Sequence, residues 1–527
     1  MDAATSTDYD RRWWTLALLC LSLVVIGLDN TILNVALPTL VRDLGASTSS
    51  LQWIVESYVL VFAGLLLTAG SLGDRFGRRR ALSFGLVVFG VGSLLSTVAG
   101  SSGHLIATRA LMGVGGAFIM PSTLSILTNT FTVPAERGRA IAVWAGFSAM
   151  GIAVGPVFGG WLLAHFWWGS VFLVNIPVVA VALAGGRLAV PESRDPAPPR
   201  LDPIGAVLSV VGLTALVYAI IEAPGRGWTD GLTLATLAAA ILLLAGFAAW
   251  ELHSDHPMLD VHFFAKPRFT AASMSVALVF FALFGSLFLL TQYMQFVLGY
   301  SALGAGVRAV PIAVVLMVTA PLSARLVEHV GTKAVVAGGL VLVAVALGVL
   351  SQAIGVDTGF GPVLAGLVVL GMGMGLTMAP ATESIMGSLP RHKAGVGSAL
   401  NDTTRQVGGA LGVAVLGSLL ASSYQSSLDG AMAGSGLPRA LADAGRSSVG
   451  GAVAAAQRLG GEPGRALAAA ARRAYVDGMA TGVLVAAGVA LVGAVVALAF
   501  LPSRAPSEAV VIPFDGDVEP LEAAAGA

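Results

Sequence analysis

Gly70-Ser71-Leu72-Gly73-Asp74-Arg75-Phe76-Gly77-Arg78-Arg79-Arg80 is a short charged loop set between two long apolar spans. Its glycines let the chain turn sharply and let two helices pack closely beside the turn. Its arginines hold the loop on one side of a bilayer, because cytoplasmic connections carry the excess of Lys and Arg. One acid, Asp74, sits among the arginines and needs a specific partner. A topology-setting cluster alone would require the arginines, but neither the acid nor the glycine spacing.

Composition sets the class around that loop. The chain has 527 residues, of which 56% are hydrophobic and 11% charged, and its mean hydropathy is +0.85. A soluble globular domain is excluded by those values. The formal net charge of zero gives no sign of a nucleic-acid partner. Cys20 is the sole cysteine and lies inside an apolar span, so it forms no internal disulfide and reads as core. The first apolar span is too long for a signal-peptide core and is expected to remain as a mature helix.

A bilayer core needs about 20 apolar residues per helix. Fourteen such runs are present: Trp14–Leu37, Leu51–Leu72, Ala81–Ala99, Leu105–Ile126, Arg139–Leu163, Val171–Leu188, Pro203–Ile221, Leu232–Glu251, Thr270–Gln292, Ala305–Leu326, Ala334–Ser351, Gly361–Ser384, Ala394–Ala421 and Gly478–Leu501. The even count puts both termini on one side. That side carries Arg11, Arg12, the Arg75–Arg80 loop, Arg137, Arg139, Arg187, Lys266, Arg268, Arg325, Lys333, Arg391 and Lys393, whereas the short connections opposite hold only Arg42, Arg226 and Arg308. The termini are therefore expected to be cytoplasmic, in a multi-pass protein of the cell membrane. The connection 422–477 also holds arginines, but long translocated segments weigh less in this rule. It reads as an external loop with a helical stretch near Arg465–Tyr475.

The expected architecture is all-α: two six-helix bundles with two inserted transmembrane helices, fourteen in total. The divisions are 1–190 for the first bundle, 191–260 for a linker and the inserted pair, 261–505 for the second bundle with its loop 422–477, and 506–527 for a cytoplasmic tail. Pro191-Glu192-Ser193-Arg194-Asp195-Pro196-Ala197-Pro198-Pro199 opens the linker. A weak echo of the first loop follows the tenth span, at Leu322-Ser323-Ala324-Arg325 and Gly331-Thr332-Lys333. It lacks the acid, as in a duplicated half that kept only part of the loop. The inserted pair is expected at the periphery, since its polar residues are few and isolated.

These features resemble a known family. Gly-x-Leu-x-Asp-Arg-x-Gly-Arg-Arg at Gly70–Arg79 is similar to the loop signature of the major facilitator superfamily. Leu28-Asp29-Asn30-Thr31-Ile32-Leu33-Asn34-Val35-Ala36-Leu37-Pro38 resembles the first-helix pattern of its fourteen-helix drug:proton antiporter branch. Arg109, Gly113 and Gly115 resemble the Arg-x-x-x-Gly-x-Gly motif of the fourth helix. Gly151, Gly155, Pro156, Gly159 and Gly160 are similar to the fifth-helix motif of antiporters, Gly-x-x-x-Gly-Pro-x-x-Gly-Gly. The resemblance covers nearly the whole chain. It implies a conformational latch made by Gly70, Gly73, Asp74, Arg75, Gly77 and Arg78, with Asp74 set against the helix start at Ala394–Ser398 in the outward-open state.

The residues carry chemistry without the resemblance. Charges inside a bilayer are costly and are kept where they work or are paired. Asp29 lies ~8 Å below the outer edge of the first helix; Glu56 and Arg109 lie ~7 Å down theirs. One cluster of two acids around one arginine is expected, as a proton-coupling site or as a static pair that fixes packing. Gly151, Gly155 and Gly159 at four-residue spacing permit close helix approach, and Pro156 bends the helix. Asn34, Trp53, Tyr58, Trp144, Phe147, Gln292, Gln295 and Arg405 are candidate cavity residues, with Met150, Phe288 and Tyr293 beside them. Aromatic rings suit hydrophobic or cationic ligands, although each is also ordinary packing material. Asp402 and Arg405 can pair along one helix face, and Glu383 reads as interfacial. His253 and His256 lack a third ligand, so no metal site is expected.

No phosphate-binding loop appears, so the energy source is expected to be a proton gradient and no cofactor is expected. The expected activity is proton-coupled export of small hydrophobic, amphipathic or cationic compounds, drugs and antibiotics among them, by a monomer embedded in the lipid bilayer. A dedicated exporter of one metabolite or antibiotic, or a proton-coupled importer, are the alternatives. An enzyme lacks support, since no nucleophile–base pair lies in the spans.

Overall fold

The computed structural model describes residues 11–195, 201–389, 394–432 and 438–503. The expected tail 506–527 lies outside them. Backbone groups in lipid must be satisfied internally, which leaves a long apolar segment one solution, the α-helix. The described residues are helical throughout, without a strand.

The first six spans are α1 (Arg12–Leu44), α2 (Thr48–Phe76), α3 (Arg78–Thr97), α4 (Ser102–Thr130), α5 (Pro134–His165) and α6 (Ser170–Ala189). The inserted pair follows as α7 (Pro203–Arg226) and α8 (Gly231–His253). Next come α9 (Pro267–Gln292, continuing as a π turn to Val297), α10 (Ala302–Val330), α11 (Thr332–Ala353), α12 (Phe360–Met386) and α13 (Ala394–Met432). Two short helices, α14 (Arg439–Ser447) and α15 (Val449–Leu459), lead to α16 (Gly461–Phe500). Among the described residues, thirteen helices are long and apolar enough to cross a membrane. They are α1–α4, α6–α13 and α16; α5, 32 residues long, packs between α1 and α10.

Local signals set the ends. α1 stops at Gly45, whose φ of 63° is left-handed and suits glycine. Ser47 and Ser101 cap α2 and α4 by accepting from Ser50 N and His104 N. Gly77, at φ 119°, turns α2 directly into α3. In the segment 422–477, helices run further than hydropathy indicated. α13 continues to Met432 and α16 begins at Gly461, so Arg465–Tyr475 lies within a helix.

The halves repeat one packing plan. In the first, α1 packs on α5, α2 and α3 on α4, and α6 on α1 and α3. In the second, α9 packs on α13, α10 and α11 on α12, and α16 on α9 and α11. The correspondence is helix for helix and expresses an internal duplication. Between halves, α2 meets α13 and α5 meets α10, again as equivalent pairs.

The halves join at the ends opposite the arginine-rich face. Gln52 Nε2 on α2 donates to Val413 O (3.1 Å) and Ala414 O (3.0 Å) on α13. Gln295 Nε2 donates to Val35 O across the interface (3.0 Å). Thr48 donates to Ser447 O (3.1 Å), and Gly450 sits against Val41 and Phe296, so α14 and α15 lie over both halves there. Nearer the arginine-rich face, α5 and α10 expose Val143, Phe147, Met317 and Val318. Ala142 and Gly146 of α5 and Pro321 and Ala324 of α10 are exposed as well, so these two helices part toward that face.

Candidate functional site

The centre of the first half is polar. Asp29 on α1 and Arg109 on α4 form an ion pair with side chains 0% and 1% exposed. Arg109 Nε donates to Ile54 O on α2 (3.2 Å), and its guanidinium lies 4.4 Å from the Tyr58 ring centroid. Arg109 thus ties three helices together. Close helix approach lets it reach: a Cβ at Gly113 would strike Tyr58 O, and one at Gly116 would strike the Phe62 ring. Asp29 Oδ1 has no hydrogen-bond partner among the described residues.

Glu56 occupies the same cleft but is bound differently. It is 0% exposed, and neither carboxyl oxygen has a partner among the described residues. The expected cluster of two acids around one arginine is therefore one ion pair with an unpaired acid nearby. The cleft around Glu56 is lined by Asn30, Asn34, Arg109, Phe284, Gln406 and Val413, from both halves. Asn34 and Asn30 spend their amide donors on α1 carbonyls, Asn34 on Asn30 O (3.3 Å) and Asn30 on Ile26 O (3.0 Å).

The other cavity candidates are placed unevenly. Trp53 turns away from the cleft to the inserted pair, donating to Glu222 Oε1 (3.1 Å) and packing on Tyr218. Tyr58 is 0% exposed beneath Arg109 and belongs to its packing. Gln292 is buried and donates to Phe288 O in its own helix (3.1 Å). Gln295 closes the opposite face, as above. Trp144 donates to Thr123 Oγ1 (3.2 Å), joining α5 to α4. Phe147 and Met150 are exposed on α5. Arg405 pairs with Asp402 (3.6 Å), donates to Thr382 Oγ1 (3.3 Å) and lies over Phe280. Asn30 stood inside a quoted motif, and Gln52 and Gln406 are polar residues in apolar spans; those were the available signals for them.

The glycine motif of α5 is a contact surface. Added Cβ atoms would strike Gly27 and Val24 at Gly151, Thr31 at Gly155 and Ile32 at Gly159. This stripe packs on α1, beside Asp29. Gly160 instead meets Leu303 of α10, and Gly306 of α10 meets the Pro156 carbonyl. The motif therefore supplies both the α1 contact and one seam between halves.

The loop at Gly70–Arg80 is engaged by the linker. Asp74 Oδ1 accepts from Arg78 Nε (2.7 Å), and its main-chain carbonyl accepts from Asp195 N (3.0 Å). Arg78 N donates to Ser193 O (3.0 Å), and Arg79 N to Glu192 Oε1 (3.0 Å). Gly73 faces Ala81 at van der Waals range, Gly70 faces Pro121, and Arg75 lies over Phe76. In this arrangement the Asp74 carboxylate is held by its own loop. The side chains at 394–396 lie outside the described residues.

The sequence profile of the Major Facilitator Superfamily matches residues 19–413. The chain belongs to this superfamily. Its members are transporters, and the fold agrees. A bacterial homologue of the human lysosomal transporter Spinster, in an inward-facing and unoccupied conformation, superposes with a TM-score of 0.64 at 19% identity, covering 94% of this chain and 99% of that one. The POT family transporter PepTSo gives a TM-score of 0.62 at 15% identity, covering 92% of this chain and 97% of that one. Among relatives, the multidrug efflux pump LfrA of Mycolicibacterium smegmatis is 38% identical, covering 94% of this chain and 98% of that one. The tetracenomycin C resistance and export protein of Streptomyces glaucescens is 36% identical, covering 94% of each chain. The methyl viologen resistance protein SmvA of Salmonella typhimurium is 34% identical, covering 88% of this chain and 93% of that one.

Proposed function

We propose that this superfamily member is a proton-coupled antiporter of the fourteen-helix drug-export branch, carrying hydrophobic or amphipathic cations out of the cell. The carrying observation is Glu56: a buried carboxyl group without donor or cation, in a cleft that both halves line. A carboxylate in that setting is expensive, whereas a carboxylic acid is not. Glu56 gives up its proton when a cation arrives to replace it, so substrate and proton exclude one another. Exclusion at one site turns two gradients into exchange. Asp29 and Arg109 keep each other charged and position the wall of that site.

The names of the relatives support drugs and antibiotics as cargo. The arginine-rich face is cytoplasmic in this reading, so the structure is the inward-open state, with Glu56 ready to exchange its proton for substrate. The Asp74 latch then belongs to the other state and is released here. The protein works as a monomer with no cofactor beyond the proton gradient. A substrate-driven pH change tests the proposal. Everted vesicles holding the protein accumulate a fluorescent lipophilic cation when acidified inside, and Glu56→Gln vesicles do not. Accumulation that survives without a proton gradient, or in Glu56→Gln, rejects it.

A further inference from the structure

The internal two-fold generates two seams between the halves, α2 with α13 and α5 with α10. In two plain six-helix bundles these seams would be equivalent. The inserted pair makes them different. Near the face where the halves join, Leu60, Ala410 and Ala414 form a buried apolar cluster with Val217 and Ile221 of α7. The Trp53–Glu222 hydrogen bond fixes α7 to α2, and Trp228 Nε1, just beyond α7, donates to Ser422 Oγ on α13 (3.2 Å). Toward the arginine-rich face, Val210 of α7 fills the space over Gly64, and Thr68 Oγ1 donates to Met258 Sδ (3.4 Å). No residue of α2 from Leu51 to Asp74 is exposed, nor any of α13 from Gly397 to Gln425.

The equivalent seam is bare. α5 and α10 meet through Gly160, Leu303, Pro156 and Gly306, near the joined face. Below that contact, Val143, Phe147 and Met150 on α5 and Val314, Met317 and Val318 on α10 are 39–64% exposed. Rings, thioethers and branched aliphatics of this kind accept amphipathic cations without a charged partner. The strip runs along the edge where α5 and α10 part below that contact. Resting on the export reading above, we propose that α7 and α8 shut one lateral opening and leave the α5–α10 seam as the entrance for amphipathic substrate, which arrives dissolved in the leaflet next to the arginine-rich face.

Cysteine chemistry tests this directly, because the native Cys20 is buried. Met317→Cys lies on the bare seam and Val207→Cys on the outer surface of α7, 61% exposed. Each full-length variant is reconstituted and reacted with a bulky maleimide dissolved in the bilayer. Transport of a lipophilic cation is then compared with that of methyl viologen, a hydrophilic dication that comes from water. Label at Met317→Cys is expected to raise KM for the lipophilic cation about tenfold, with kcat and methyl viologen transport unchanged. Label at Val207→Cys is expected to alter neither. An unchanged KM at Met317→Cys, equal loss of both cations there, or equal loss at Val207→Cys overturns the entrance. Unlabelled protein that moves neither cation overturns the export reading instead, and the entrance with it.

Discussion

Arg109 holds Asp29 in an ion pair whose side chains are 1% and 0% exposed, while Glu56 in the same cleft holds no partner among the described residues. The three ionisable groups therefore divide their work. A buried pair broken on one side leaves an uncompensated charge, which costs about 3–5 kcal/mol. Arg109→Ala is expected to lower the detergent-solubilised Tm strongly. Asp29→Asn should be costly as well, and Asp29→Asn with Arg109→Gln less costly than their sum. A double-mutant cycle checks this; additive effects would show that the pair contributes no coupling.

Glu56→Gln removes a titratable proton but no hydrogen bond. It replaces one buried polar group by another of nearly the same shape, so Tm should move far less than in Arg109→Ala. Substrate competes with a proton in the native protein, so the apparent affinity for a cation should rise as pH rises and fall in acid. In Glu56→Gln the affinity should be flat across the same pH range. Binding titrations between mildly acid and mildly alkaline pH decide it. A pH dependence retained in the variant would assign the proton to another group.

The α5 stripe should be intolerant of bulk at two distinct contacts. Gly155→Leu collides with Thr31 on α1, inside one half. Overpacking of that sort costs about 1–3 kcal/mol and should appear as lost thermal stability. Gly160→Leu collides with Leu303 across the seam. It should instead favour separation of the halves at the joined face. Cysteine labelling near Gln295 would then rise in Gly160→Leu and not in Gly155→Leu; equal labelling would contradict the division.

The linker contact makes Glu192 a positioning residue for the Asp74 loop. It meets Arg79 N, lies 3.7 Å from Arg79 Nε and 3.8 Å from Arg80 Nε, and fills the space over Gly77. Exposed pairs of this kind contribute little to stability, about 0–1 kcal/mol. Glu192→Gln should therefore leave Tm nearly unchanged and shift the balance between the two transport states, read as a changed kcat with KM held. Asp74→Asn should lower kcat in the same way. Unaltered kcat in Asp74→Asn would remove the latch.

Much of this was legible before any coordinates. A charge costs so much in lipid that Asp29, Glu56 and Arg109 could be matched by depth alone. Glycine spacing likewise pointed to the close contacts at Gly151, Gly155 and Gly159, but not to the one at Gly160. What stayed hidden was which way an apolar or aromatic side chain turns. A helix facing lipid and a helix filling a seam share one composition, because lipid tails are as apolar as leucine. α8 does lie at the periphery, packed on α7, yet α7 itself fills the α2–α13 seam. Trp53 was read as cavity-lining for the same reason and in fact faces Glu222. The bonds of Gln52 and Gln295 across the halves depend on conformation, which no periodicity encodes.

Proton release on substrate binding tests the central claim most directly. Purified protein in weakly buffered detergent solution, held near neutral pH, is mixed with a saturating lipophilic cation while a pH indicator is followed. The account requires release of about one proton per bound cation in the native protein, and none in Glu56→Gln with binding retained. Binding without proton release in the native protein, or undiminished release in Glu56→Gln, would contradict it.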